Sequence, residues 1–182
     1  MPRWLNPANL VTLLRLLLVP GIIQAIFTGR HSLALSLFAT AALTDVVDGA
    51  LARRFGMATQ TGAYLDPIAD KCLLSGVFLS LAVTHMVPWW AVAVILGRDI
   101  YILGAVIAVM LFTSIRKFPP SAWGKASTFV QISTVVLWMS RDVLELPVLD
   151  ELCAAMLWLC VAFAAVSALH YTWRGWHALR VR

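Results

Sequence analysis

Charged residues are scarce in this chain of 182 residues. Asp, Glu, Lys and Arg together make up 13% of it, whereas hydrophobic residues make up 61%. The mean hydropathy is +0.85. Such a chain has too little polar surface to cover a soluble globule, so the composition excludes an ordinary soluble domain and predicts an all-α integral membrane protein.

Cysteines, low-complexity tracts and internal repeats are also few or lacking. The three cysteines, Cys72, Cys153 and Cys160, are odd in number and lie in apolar stretches, which argues against a disulfide framework. No sequence feature marks a second domain, and we expect one membrane domain over residues 1–182. The first apolar run lacks a clear small-residue cleavage site, so we expect it to be retained as a membrane segment.

A helix needs about 20 mainly apolar residues to cross a hydrocarbon core, and six apolar windows of the chain are long enough to do so. These windows are too long and continuous for barrel strands. The sequence therefore predicts six transmembrane helices, preceded by a short interfacial segment at Met1–Asn9. The predicted spans are Leu10–Phe27, Ser32–Arg53, Ala63–Met86, Trp89–Ile115, Trp123–Met139 and Leu152–Trp173.

The basic residues predict the orientation of these spans, because cytoplasmic segments carry the excess of Lys and Arg. Both termini and the loop between Arg53 and Gly62 are therefore expected in the cytoplasm. The pI of about 9.6 then indicates attraction to anionic lipid rather than to nucleic acid. The residues expected on the cytoplasmic side are Arg3, Arg53, Arg54, Arg116, Lys117, Lys125, Arg174, Arg180 and Arg182; Arg30 and Arg141 lie opposite.

Four of the nine acidic residues are concentrated between Asp45 and Asp70. Asp45 and Asp48 are three residues apart, and Asp66 and Asp70 are four apart, so each pair shares one face of a helix. An Asp costs about 2.5–3.5 kcal/mol at a bilayer centre, so four of them need positive compensation. Oxygen ligands without His or Cys favour two Mg²⁺ or Mn²⁺ ions, which would bind a diphosphate.

Two other interpretations of the aspartates stay open on spacing alone. They could pair with the intramembrane bases Arg15, Lys71 and Arg98, or they could form a proton or cation relay in a carboxylate-lined transporter. Neighbouring residues favour the metal–diphosphate site over both. The glycines at positions 49 and 62 leave room for a substrate, and the guanidinium of Arg53 suits a phosphate.

At these positions the chain resembles the CDP-alcohol phosphatidyltransferase family, whose signature D-x2-D-G-x2-A-R-x8-G-x3-D-x3-D is matched throughout. The resemblance implies transfer of a phosphatidyl group from CDP-diacylglycerol to an alcohol, with release of CMP, by a six-helix membrane protein that is commonly a homodimer. It also implies that Asp45, Asp48 and Asp66 hold the metals, with Asp70 as a further ligand and the general base. The residues implied to line the CDP-lipid pocket are Gly49, Ala52, Arg53 and Gly62.

Two flanking motifs resemble the branch of this family that makes phosphatidylglycerol phosphate and cardiolipin. An amino-terminal N-x-x-T-x-x-R pattern is carried by Asn9, Thr12 and Arg15, and a later G-K-x-x-T-x-x-Q pattern begins at Gly124. Small-residue helix packing and a snorkelling lysine explain the second pattern equally well. Its further members are Lys125, Thr128 and Gln131.

The sequence offers two candidates for the alcohol acceptor. Arg98-Asp99 resembles the dipeptide of the family's cardiolipin synthases, and the base-free run Tyr101–Phe112 suits a lipid acceptor, so phosphatidylglycerol is favoured. Glycerol 3-phosphate is the alternative, with Arg116, Lys117 and Lys125 as its phosphate site. Because adjacent residues diverge on a helix, at least one of Arg98 and Asp99 is expected to pair with a neighbouring span.

A membrane prenyltransferase also uses Mg²⁺ and acidic helices to bind diphosphates. It usually needs two separated acidic motifs, however, and this chain has one.

Overall fold

The computed structural model describes the backbone of residues 7–55, 60–112 and 122–180. Within these ranges it describes the side chains of residues 11–44, 68–108, 111, 122–174 and 176. The described backbone is helical apart from short turns, so the all-helical prediction with six helices is confirmed. The helices are α1 Pro7–Phe27, α2 His31–Phe55, α3 Gln60–Val83, α4 Trp89–Phe112, α5 Ala122–Leu144 and α6 Val148–Arg180.

Two of the described helices contain a stretch long and apolar enough to cross a membrane. These stretches are Trp89–Ala108 in α4, with a mean hydropathy of 2.0, and Val148–Arg174 in α6, with a mean hydropathy of 2.4. The described apolar parts of the first two helices, Val11–Phe27 and His31–Thr44, are shorter. The hydropathy of α4 and α6 thus supports a membrane protein, whereas the full six-span topology stays a prediction.

Several predicted boundaries move. The loop expected between Arg53 and Gly62 is helical at both of its ends, since α2 continues to Phe55 and α3 begins at Gln60, and residues 56–59 lie outside the described part. Helix α1 already begins at Pro7, where a missing N–H costs a helix nothing. Pro7–Asn9 therefore belongs to α1, and the rest of the expected interfacial segment lies outside the described residues, as do Arg116 and Lys117.

The chain divides into two compact units, the first of which comprises Met1–Met86 and Trp138–Glu145. Helix α1 packs against both α2 and α3 in this unit. A three-residue turn joins α1 to α2, and Gly29 adopts φ 68° there. The N–H of Arg30 donates to the carbonyl of Ala25 at 2.9 Å, which closes the end of α1 and reverses the chain.

Helices α1 and α3 run in the same direction, because contacts advance along both together. Arg15 contacts Asp70, and further along both helices Val19 and Ile23 lie against Gly76. A methyl group added at Gly76 would lie 3.1 Å from Cδ1 of Ile23, so the two helices approach closely at this glycine. The contacts with Gly76 fix the register in which α1 faces α3.

The second unit comprises Val87–Leu137 and Leu146–Arg182, and α4 packs against α6 within it. These two helices are also parallel: the ring of Trp90 packs against that of Trp158 at a tilt of 40°, with centroids 5.1 Å apart, and the hydroxyls of Tyr101 and Thr172 form a hydrogen bond of 2.7 Å. Helix α5 runs antiparallel to α6, because Trp123 lies near Phe163 and Thr134 near Met156. In each unit, therefore, helices separated by one helix are parallel.

Candidate functional site

The acidic motif lies on two helices of the first unit. Asp45 and Asp48 are on α2, and Asp66 and Asp70 are on α3. A rise of 1.5 Å per residue separates the members of each pair by about 4.5–6 Å along the helix, one above the other. The side chains of Asp45, Asp48 and Asp66 lie outside the described part, as do those of Gly49, Ala52, Arg53 and Gly62. The roles of these seven residues stay predictions.

The side chain of Asp70 is described, and it forms an ion pair with Arg15 of α1. The Arg15 Nη1 group donates to Oδ1 of Asp70. The two partners differ sharply in exposure, because the side chain of Arg15 is 2% exposed and that of Asp70 is 43% exposed. The pairing of an aspartate with Arg15, one of the alternatives in the sequence, therefore occurs at the last aspartate of the motif.

This ion pair joins two motifs that are far apart in sequence. Thr12 lies one turn before Arg15 on α1 and is also buried, at 4% exposure. The amino-terminal motif thus presents a buried face that contains Thr12 and Arg15, and its arginine reaches the end of the acidic motif. The side chain of Asn9, the first member of the motif, lies outside the described part.

A second ion pair lies in the other unit. Arg98 donates through Nη1 to Oδ1 of the adjacent Asp99 at 2.6 Å, and through Nη2 to the hydroxyl of Ser167 on α6. The side chain of Arg98 is 7% exposed and that of Asp99 is 9% exposed. The expectation that one of the two residues pairs with a neighbouring helix is confirmed for Arg98.

Sequence reasoning missed Ser167 as the partner of Arg98. It is a single serine in the long apolar run of α6, and such serines commonly bond to their own helix backbone. The available signal was its spacing from Cys160 and Ala164, which are buried with it on one face. That spacing identifies a buried face without identifying the helix that covers it.

The buried polar residues of α5 only partly coincide with the G-K-x-x-T-x-x-Q pattern. Gln131 and Ser127 are 0% exposed, and among the described residues neither the amide of Gln131 nor the hydroxyl of Ser127 has a hydrogen-bond partner. Thr134, one turn further, donates to its own helix at Val130 O, 2.7 Å away. Thr128 is partly exposed and Lys125 is exposed. Gln131 is thus the predicted member of the G-K-x-x-T-x-x-Q pattern that is fully buried.

The metal prediction rests on the chemistry of its donor set. Among the side chains that the structure describes, no group of three His, Cys, Asp or Glu residues could hold an ion. Three of the four predicted ligands lie outside that part. The set itself consists of carboxylates only, and such hard oxygen donors fit Mg²⁺ or Mn²⁺. In the first unit, His31 pairs with Asp142 at 3.6 Å.

Comparison with known proteins identifies the motif's context. A family model described as CDP-alcohol phosphatidyltransferase matches residues 5–166, which include the acidic motif and both flanking motifs. A probable phosphatidylglycerophosphate synthase of Mycobacterium tuberculosis is 42% identical over 144 residues, covering 75% of this chain and 67% of the relative.

Two further relatives carry different activities in their names. A probable cardiolipin synthase (CMP-forming) of Drosophila melanogaster is 32% identical over 180 residues, covering 90% of this chain and 55% of the relative. A CDP-diacylglycerol–glycerol-3-phosphate 3-phosphatidyltransferase of Bacillus subtilis is 31% identical over 194 residues, covering 96% of this chain and 97% of the relative.

Proposed function

The chain belongs to the CDP-alcohol phosphatidyltransferase family, and on that premise we propose that it transfers the phosphatidyl group of CDP-diacylglycerol to phosphatidylglycerol, forming cardiolipin and CMP. The observation that carries the proposal is the complete acidic motif on α2 and α3, at whose end Asp70 presents a half-exposed carboxylate. A carboxylate that reaches solvent while it is held from one side can receive a proton from a substrate.

Asp70 is the proposed general base. It takes the proton of the acceptor hydroxyl as that oxygen attacks the lipid-side phosphorus of CDP-diacylglycerol. A new P–O bond forms to the acceptor, and the P–O bond to CMP breaks, so CMP leaves with the bridging oxygen. The ion pair with Arg15 orients the carboxylate for this step, because it holds Oδ1 at a defined position on the α1–α3 contact.

The residues proposed to hold divalent ions are Asp45, Asp48 and Asp66, with Asp70 as the fourth carboxylate of the set. When bound, two Mg²⁺ or Mn²⁺ ions would screen the diphosphate and stabilise the charge on the leaving oxygen. Arg53 lies on α2 beyond Asp48, and its guanidinium would bind a phosphate of the cytidine diphosphate group. Gly49, Ala52 and Gly62 would leave room beside the helices for that group.

The choice of phosphatidylglycerol rests on α4. Its arginine, Arg98, is already bonded to Asp99 and Ser167, and the following run Tyr101–Phe112 contains no Lys or Arg to bind a small phosphate. The outer face of the same helix is strongly apolar, with Ile100 71% and Leu111 74% exposed. Such a face suits an acceptor that has its own acyl chains.

Glycerol 3-phosphate is the second candidate acceptor. It is favoured by the names of the relatives from Mycobacterium tuberculosis and Bacillus subtilis, both of which describe synthesis of phosphatidylglycerol phosphate. Arg116 and Lys117 follow α4, and Lys125 is exposed near the start of α5. These three bases would then supply the phosphate site.

The proposal extends to the membrane context. Six spans with cytoplasmic termini would place the acidic motif at the cytoplasmic face of a bacterial inner membrane, in one domain over residues 1–182 that forms a homodimer. The parallel direction of α1 with α3, and of α4 with α6, supports the alternation of spans, because helices that cross a bilayer in alternation are parallel when one helix separates them.

The deciding experiment measures CMP release from CDP-diacylglycerol by the purified protein in vesicles. Mn²⁺ or Mg²⁺ is added, with phosphatidylglycerol and glycerol 3-phosphate offered separately, and excess chelator serves as the control. Cardiolipin formed from phosphatidylglycerol alone supports the proposal, whereas phosphatidylglycerol phosphate formed from glycerol 3-phosphate selects the second acceptor. Absence of CMP release with either acceptor contradicts both, and ion flux without CDP-lipid would instead indicate a transporter.

A further inference from the structure

Arg15 is a buried base that forms an ion pair with an aspartate of another helix. Its side chain is 2% exposed, and its partner Asp70 lies on a different helix, 55 residues away. Breaking a buried ion pair from one side is costly, because it leaves the remaining charge in an apolar surrounding. The guanidinium is therefore held at Asp70.

The packing of α1 on α3 keeps the two residues together. One and two turns beyond Arg15 on the same face of α1, Val19 and Ile23 lie against Gly76 of α3. A Cβ at position 76 would meet Cγ1 of Val19 at 3.5 Å and Cδ1 of Ile23 at 3.1 Å. The glycine thus admits these two side chains close to the backbone of α3, and this contact supports the register in which Arg15 faces Asp70.

A guanidinium on Asp70 affects any cation that approaches the same carboxylate. It uses lone pairs of Oδ1 that a metal ion would otherwise use, and its charge repels a divalent ion nearby. Asp70 must therefore divide its negative charge between Arg15 and any metal ion that it binds.

Building on the proposed function, we infer that Arg15 is a positioning residue that competes with the metal ions for Asp70 and so reserves this carboxylate for the acceptor hydroxyl. The metals are then held chiefly by Asp45, Asp48 and Asp66. In this arrangement the exposed side of Asp70 faces the acceptor while Arg15 holds the other side. Arg15 thereby lowers the affinity of the site for metal ions and keeps Asp70 available as the base.

The test is the affinity of the protein for Mn²⁺, measured without turnover, because removal of a competing positive charge should increase that affinity. Free Mn²⁺ is titrated by electron paramagnetic resonance against the full-length protein in detergent. Arg15→Gln removes the charge and is expected to tighten Mn²⁺ binding by about tenfold, since a repelling charge has gone. The same variant is expected to lower kcat by about tenfold or more with little change in the KM for CDP-diacylglycerol. Arg15→Lys keeps the charge and is expected to restore wild-type Mn²⁺ affinity.

Two controls separate this role from a structural one. Thr12→Val alters the same buried face of α1 one turn away without changing charge, and it is expected to leave Mn²⁺ affinity within about twofold of wild type. Introducing Arg15→Gln into Asp70→Asn protein is expected to tighten Mn²⁺ binding by less than about threefold, because the shared carboxylate charge is absent. Weaker Mn²⁺ binding in Arg15→Gln, or equal tightening in both backgrounds, would overturn the inference.

Failure of the proposed function would be seen separately. If the wild-type protein released no CMP with any acceptor, the proposed reaction would fail, whereas the Mn²⁺ titrations would still decide whether Arg15 and the metals compete. If CMP were released normally but Arg15→Gln bound Mn²⁺ no more tightly, the reaction would stand and the role of Arg15 would fall.

Discussion

The two arginine–aspartate pairs of this protein are built differently. Arg15 and Asp70 come from different helices, and the aspartate is 43% exposed. Arg98 and Asp99 are neighbours on one helix, both are less than 10% exposed, and Ser167 adds a third partner. The carboxylate of Asp70 reaches solvent and is accessible to a substrate, whereas the enclosed pair in α4 links that helix to α6 through Ser167.

The sharpest way to break this comparison is Asp70→Asn. The amide cannot accept the proton of the acceptor hydroxyl, so CMP release is expected to fall by about 10²–10⁴-fold, as for loss of a general base. The helical circular dichroism signal is expected to be retained, because the amide oxygen can still accept the hydrogen bond of Arg15 and solvent reaches this half-exposed position. Turnover above a tenth of wild type would contradict the role of Asp70 as the base.

Asp99→Asn, in the other pair, is expected to lower stability rather than to act on the chemical step. It leaves the buried guanidinium of Arg98 without its ionic partner, and loss of one member of a buried pair costs about 3–5 kcal/mol. We expect a markedly lower thermal unfolding midpoint in detergent, followed by circular dichroism.

The double variant Arg98→Met with Asp99→Leu provides the control, because it removes both charges together. It is expected to regain most of the lost stability. If Asp99→Asn unfolded at the wild-type temperature, the pair in α4 would not be the structural element described above.

Ser167→Ala should give the smallest effect that is still measurable. It removes the acceptor for Arg98 Nη2 on α6, and we expect a loss of about 1 kcal/mol in the free energy of unfolding. Tyr101→Phe is the matched control, because it removes an exposed hydrogen bond to Thr172 on the same pair of helices and should change stability by less than about 0.5 kcal/mol. Equal effects of the two substitutions would show that burial does not distinguish them.

Hydropathy predicted the number of helices well, because each long apolar run must bury or shield its backbone and does so as a helix. It predicted helix ends less well. The polar residues from Arg53 to Gly62 read as a loop, although most of them continue α2 or begin α3. Arginine and glutamine are good helix formers, and polarity alone does not end a helix.

The pairing of side chains was only partly predictable. Spacing placed Arg15 on α1 and Asp70 on α3, and the need to compensate buried charge suggested that such residues pair, but the correct pair was one of several possibilities. Direct bonding of Arg98 to Asp99 was not expected, because adjacent residues point in different directions. The long arginine side chain spans that divergence, which residue spacing alone does not reveal.

The separation of Arg15 from Asp70 has a consequence for biosynthesis. In the proposed six-span topology, a ribosome adding about 5–20 residues per second needs several seconds to make the 55 residues between them. The ion pair between Arg15 and Asp70 can therefore form only after α3 has been synthesised. Arg98 and Asp99 emerge together and enter the membrane already neutralised. Neutralisation of Arg15 by Asp70 therefore depends on a helix that is synthesised after α1.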